Sequence, residues 1–195
     1  YTTLFRSSYT RETLVHSRAL YPRLAVHSMR ANARFYLPYL VACAVVVALH
    51  YDIQFLNMNS GMEQLPGSSS VSGLLAVVVL AYDVFSTFIV TYTNGFLMKR
   101  RQKELGLYSI LGMKKRHIRK LLRWEMMYAA MIIIGGGILL GIVLSGAFLL
   151  LFNTLMPTDV PLRFEIPPIA VDFTVVVYAV VLAFTHLVNL AKVSL

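Results

Sequence analysis

Asp83 stands near the middle of Val71–Leu97, a run of 27 residues that carries no other charge. A carboxylate at that depth is costly, so it points to proton coupling or peptide contact, or to a protonated or water-reached group facing a helix bundle. His186, in another apolar run, is a candidate partner for it if the two runs are offset. His50 and His186 do not make a metal site, which needs several clustered ligands, and none is assigned. Asp52 and Asp172 fall toward the ends of apolar runs and read as solvated termini. Cys43 is the single cysteine and permits no internal disulfide. Ser145–Gly146 lacks the G-x-S-x-G frame, and no G-x-x-x-x-G-K-[ST] cradle for ATP phosphates occurs. No catalytic residue, cofactor or enzyme activity is therefore assigned to the chain.

The scaffold for these groups follows from composition. Of 195 residues, 57% are hydrophobic and 14% charged, with a mean hydropathy of +0.67. Soluble domains carry about a quarter charged residues, so the chain reads as an integral membrane protein. A crossing helix needs about 20 apolar residues. Val71–Leu97 and Met126–Phe152 each supply 27, and Ile169–Leu190 supplies 22. Phe35–Leu49 has 15 before His50, Tyr51 and Asp52 interrupt it, and crosses only if the helix continues to Leu56. The expected fold is all-α, a polytopic membrane protein with spans at 35–56, 71–97, 126–152 and 169–190.

The connections are short. Residues 57–70 are rich in Gly, Ser and Asn and read as a turn-like link; 153–168 contain four prolines and read as an extended loop. Residues 20–34 lead into the first span and 191–195 follow the last. Tyr1–Ser7 matches what one reading frame of a widely used sequencing adapter encodes, so 1–19 are expected to be non-native or disordered.

Charge sets the direction. The net charge is +9, and Asn94–Glu125 alone holds ten of the 18 Lys/Arg against two Glu. Arginines also precede the first span, whereas the link 57–70 has no basic residue. Basic connections remain on the cytoplasmic side, which places both termini there and the protein in the plasma membrane. Clustering beside apolar runs fits anionic lipid and argues against nucleic acid.

The basic connection, 98–125, reads as two helical pieces broken at Gly112. Leu107, Ile110 and Leu111 share one face, as do Ile118, Leu121 and Leu122. Such a face either docks into a partner groove or lies on lipid headgroups. In the third span Gly137, Gly141 and Ser145, four residues apart, form a flat stripe for a neighbouring helix, as static packing or as a sliding surface.

The segment KRRQKELGLYSILGMKKRHI resembles the cytoplasmic loop of FtsX-like ABC transporter permeases, where E-L-G-x-x-x-x-L-G with basic flanks follows the second helix. Here those positions are Glu104, Leu105, Gly106, Leu111 and Gly112. The version with Tyr108, Ile110, Leu111, Gly112 and Met113 resembles the bacitracin-resistance branch, which handles antimicrobial peptides. Arg23–Leu40 is similar to that branch's entry into its first helix. The resemblance implies that the loop, Leu107 included, is a coupling helix resting on a separate ATPase subunit, itself a dimer, which holds the ATP. The short link between the first two spans favours this branch over macrolide or lipoprotein exporters, which carry a large domain there. It also implies a fragment, the first four of ten helices. A sensor histidine kinase is a further partner candidate. The competing reading is a non-transport membrane sensor or scaffold partner of such a kinase, with no ATPase dependence; a membrane enzyme is a third.

Overall fold

The computed structural model describes residues 21–59, 67–110, 115–155 and 164–194, and every regular element among them is a helix. Helix α1 covers 21–31, α2 Ala33–Asn57, α3 Ser68–Ile110, α4 Lys115–Leu155 and α5 Pro168–Ser194. The expected tail 1–19, Leu111–Met113, and most of both links at the far end lie outside the described residues. Among the described residues, four helices, α2 to α5, are long and apolar enough to cross a membrane.

Helix α2 continues through His50 and Asp52 to Asn57, and packing explains why it tolerates them. Half of its apolar window is buried, against 17%, 28% and 22% for α3, α4 and α5. It is the central helix, packed against each of the other three. Its polar side chains meet protein rather than lipid, so His50 and Gln54 are buried at 0% and 3% exposure. The outer helices turn large apolar side chains such as Leu80, Phe88, Leu139 and Val180 outward, as lipid-facing surfaces require.

Helices α2 and α4 approach each other closely. A Cβ built on Gly137 would lie 2.5 Å from Val47 Cβ and 2.9 Å from the Ala44 carbonyl oxygen. One on Gly141 would lie 2.8 Å from Tyr51 Cδ1. Ser145, one turn on, is buried and turns its hydroxyl back to the Ile142 carbonyl at 3.0 Å. The stripe therefore faces α2, with its small residues at the contact. Gly67, ahead of α3, has φ of 80°, a conformation that suits glycine where the chain turns into the helix.

Helix α3 has 43 residues and α4 has 41. At the α-helical rise each is roughly 60–65 Å long, about twice the hydrocarbon layer. Both therefore project beyond the apolar zone, and the projecting ends carry the basic connection.

Candidate functional site at the basic end

The inward face of α3 runs Val90, Asn94, Leu97, Met98 and Arg101, the spacing of one helical stripe. Lys99 and Arg100 beside it are exposed. The inward face of α4 runs Ile118, Leu121, Leu122, Glu125, Met126, Ala129 and Ile133. Each apolar stripe thus contains one charged residue, and the two meet. Arg101 and Glu125 form an ion pair at 2% and 1% side-chain exposure.

Arg101 Nη1 donates to Glu125 Oε2 and also to the Tyr36 hydroxyl, at 2.5 Å from the latter. Its Nη2 donates to Ser28 Oγ at 2.9 Å. Tyr36 donates to Glu125 Oε2 at 3.2 Å, and its ring centroid lies 5.4 Å from the guanidinium carbon. Half-buried Glu104 lies 3.8 Å from Arg101 Nε and accepts from Asn32 Nδ2 at 2.9 Å. Asn32 has this amide available because it caps α2 through its backbone alone, its carbonyl accepting from Phe35 and Tyr36. Burying two charges costs several kcal/mol each, which their attraction offsets only with good geometry and further hydrogen bonds. Tyr36 and Ser28 supply hydrogen bonds and Glu104 a longer charge contact, while Arg101 Nε and Glu125 Oε1 have no hydrogen-bond partner among the described residues. The result is a clamp joining α1, α2, α3 and α4 about nine residues, or ~14 Å, along α3 from its end at Ile110.

Deeper in the bundle a neutral layer repeats the pattern. Asn94 Nδ2 donates to the Tyr39 hydroxyl at 3.0 Å and approaches Met126 Sδ at 3.8 Å, while Asn189 Nδ2 donates to Asn94 Oδ1. Further from the basic end, Asp83 Oδ1 lies 3.0 Å from His50 Nε2, in ion-pair range although not aligned as a hydrogen bond. Thr174 donates to the Ala170 carbonyl at 2.8 Å and so accepts from His50 Nδ1 at 3.1 Å. The partner of Asp83 is therefore His50 on α2 and not His186, because α2 occupies the centre that the carboxylate faces. Asp172 is exposed as expected, but Asp52 is half-buried with Oδ1 lacking a hydrogen-bond partner among the described residues.

Of the loop residues, Glu104 enters the clamp, Gly106 is exposed, and Leu107 and Ile110 are 55% and 83% exposed on the last turns of α3. Leu105 and Tyr108 are helical residues of α3. Leu111, Gly112 and Met113, with the expected break at Gly112, lie outside the described residues. The described ends of α3 and α4 on either side extend past the apolar zone.

Helix α3 thus runs unbroken from its buried ion pair to the exposed Leu107 and Ile110. The model of the FtsX-like permease C-terminal family matches residues 74–194, from α3 through α5. The chain belongs to the FtsX-like permease family. It is similar to YvcS, an uncharacterized ABC transporter permease of Bacillus subtilis (strain 168), at 23% identity over 87% of this chain and 27% of the relative. It is also similar to the bacitracin export permease protein BceB of Halalkalibacterium halodurans, at 26% identity over 85% of this chain and 26% of the relative. BceB of Bacillus subtilis (strain 168) is 30% identical over 58% of this chain and 18% of the relative. The chain spans about a quarter of the length of the first two relatives. In this FtsX-like permease chain the family match takes in Arg101, Glu104 and Glu125, while Ser28, Asn32 and Tyr36 on the other side of the clamp precede it. It is a multi-pass membrane protein.

The sequence reading missed Arg101 and Glu125 as a pair, together with Tyr36, Asn94 and His50. A signal for the first two exists. Carrying the stripe of Val90, Asn94 and Leu97 one turn further reaches Arg101, and carrying Ile133 and Ala129 one turn back reaches Glu125.

Proposed function

We propose that this chain is the part of an ABC transporter transmembrane subunit that bears its coupling loop, with the basic end and both termini in the cytoplasm. Residues 98–125 rest on a separate, dimeric ATPase, where the ATP is bound and hydrolysed, and pass its motion to the membrane helices. One observation carries this reading. Helices α3 and α4 run unbroken past the apolar zone, present Leu107 and Ile110 outward, and are locked to central α2 through Arg101, Glu125 and Tyr36. A displacement at the tip then has a stiff path into the bundle. The basic charge of the connection supports the inward orientation. The two BceB relatives support a role in resistance to, or export of, peptide antibiotics in the plasma membrane.

The test uses the full-length permease with its ATPase. Leu107→Asp or Ile110→Asp is expected to reduce ATPase co-purification about tenfold, as loss of one apolar anchor does, and to abolish bacitracin resistance in cells. Unchanged recruitment by both variants overturns the coupling role. Labelling of Ile110→Cys by a membrane-impermeant maleimide from outside intact cells overturns the orientation.

A further inference from the structure

A second basic cluster lies apart from the clamp. Helix α1 is tied to α4 near its start, where the Tyr21 hydroxyl lies 2.5 Å from His117 Nδ1, the two rings stack, and Lys120 Nζ sits 5.4 Å from the Tyr21 ring centroid. Through Ser28 it is tied to Arg101. Beside these ties is a cavity of about 310 Å³ lined by Pro22, Arg23, Val26, His27, Arg30 and Tyr128. Arg23, His27 and Arg30 are spaced by four and three, so one face of α1 turns all three toward it. Among the described residues none of them enters an ion pair, and no acidic side chain lines the cavity. Pro22, Val26 and the Tyr128 ring make the rest of the wall apolar. Tyr128 also pairs with Trp124, ring centroids 6.0 Å apart, at the start of the apolar stretch of α4. Tryptophan and tyrosine collect at headgroup depth, so the cavity opens where lipid phosphates lie.

We propose that this cavity binds the phosphate of an anionic membrane lipid headgroup. Two guanidinium forks suit a phosphate diester, which has acceptor oxygens and no donors. His27 and the Tyr128 hydroxyl can donate alongside them, and Val26 and Tyr128 can follow the lipid's apolar portion. The depth and the half-apolar wall favour a lipid over free phosphate, whose hydration would be lost against Val26 with nothing gained. The occupant would brace α1 against α4, and through Ser28 it would bear on the clamp. This inference needs the membrane location only and stands apart from the transporter reading.

The experiment titrates full-length permease in detergent with phosphatidylglycerol, phosphatidylcholine or inorganic phosphate and counts bound lipid by native mass spectrometry. Phosphatidylglycerol is expected to be retained over phosphatidylcholine. Its affinity should fall about fivefold for each arginine removed in Arg23→Ala/Arg30→Ala, the factor that about 1 kcal/mol per basic group represents. Arg119→Ala/Arg123→Ala, which removes two exposed arginines outside the cavity, should retain the lipid. Equal retention of phosphatidylcholine, equal loss in the control variant, or displacement of lipid by inorganic phosphate overturns the proposal. If the double alanine variant does not fold, Arg30→Gln decides, and undiminished retention there overturns it as well.

Discussion

At the basic end α2 is held through a guanidinium–carboxylate pair with Tyr36 between its partners, whereas in its apolar half it is held by a glycine seam and by His50 facing Asp83 and Thr174. The first tie needs two full charges under cover. The second needs one proton between a ring nitrogen and a carboxylate oxygen, so it can remain neutral. The difference follows the surroundings: near the headgroups a charged pair can recruit Ser28, Tyr36 and Glu104, while in the hydrocarbon layer the bundle relies on close backbone contact and on groups that need no net charge. Strength at one end is thus electrostatic, and at the other it is steric.

The hardest blow to this contrast is Arg101→Ala, which strands a buried Glu125. It is expected to cost about 3–5 kcal/mol in unfolding of the detergent-solubilised permease, and Arg101→Met/Glu125→Leu should recover most of the loss. A single-variant cost under about 1 kcal/mol would show that the pair does not hold the basic end. Next comes the seam. Gly137→Ala pushes a methyl against Val47 and the Ala44 carbonyl and should cost about 1–3 kcal/mol. Gly136→Ala, with nothing within 4 Å among the described residues, should be neutral or stabilising by up to about 1 kcal/mol. Equal effects at the two glycines would remove the steric half of the comparison.

The sharpest discriminator is an isosteric amide at each carboxylate. Asp83→Asn leaves His50 a hydrogen-bonding neighbour and should change stability by about 1 kcal/mol or less. Glu125→Gln leaves Arg101 charged and buried beside a neutral group and should cost several times more, in the same unfolding measurement. If the order reverses, His50 and Asp83 are the charged pair and the account of the two halves is inverted. The smallest expected effect is at the tip, where Leu107→Asp should alter stability by no more than about 0.5 kcal/mol while recruitment falls.

Much of the architecture was legible because it depends on local composition. Apolar runs gave α3, α4 and α5 their membrane portions, and the basic connection marked one end. Pairing was not legible, because it is decided between helices. Arg101 sits among Lys99, Arg100 and Lys103, where any one of them could be solvated, and only the phase of the stripe singles it out. Glu125 hides behind Trp124 in the same way. The polar breaks that made the first span look short, His50 and Asp52, lie on a helix with one side packed into protein, His50 fully buried and Asp52 partly so, which a scale based on lipid contact misjudges. For Asp83 the sequence offered depth but no neighbour, since His50 lies on a helix whose central position only packing reveals.

The uninterrupted length of α3 makes it a lever of unequal arms. With its pivot held at Arg101, about 14 Å of rod lies toward Ile110 and roughly 50 Å toward Ser68. Under the proposed coupling role, a sideways step of about 2 Å at the short arm would sweep up to about 7 Å at the opposite end, less what the Asp83–His50 contact on the long arm holds back.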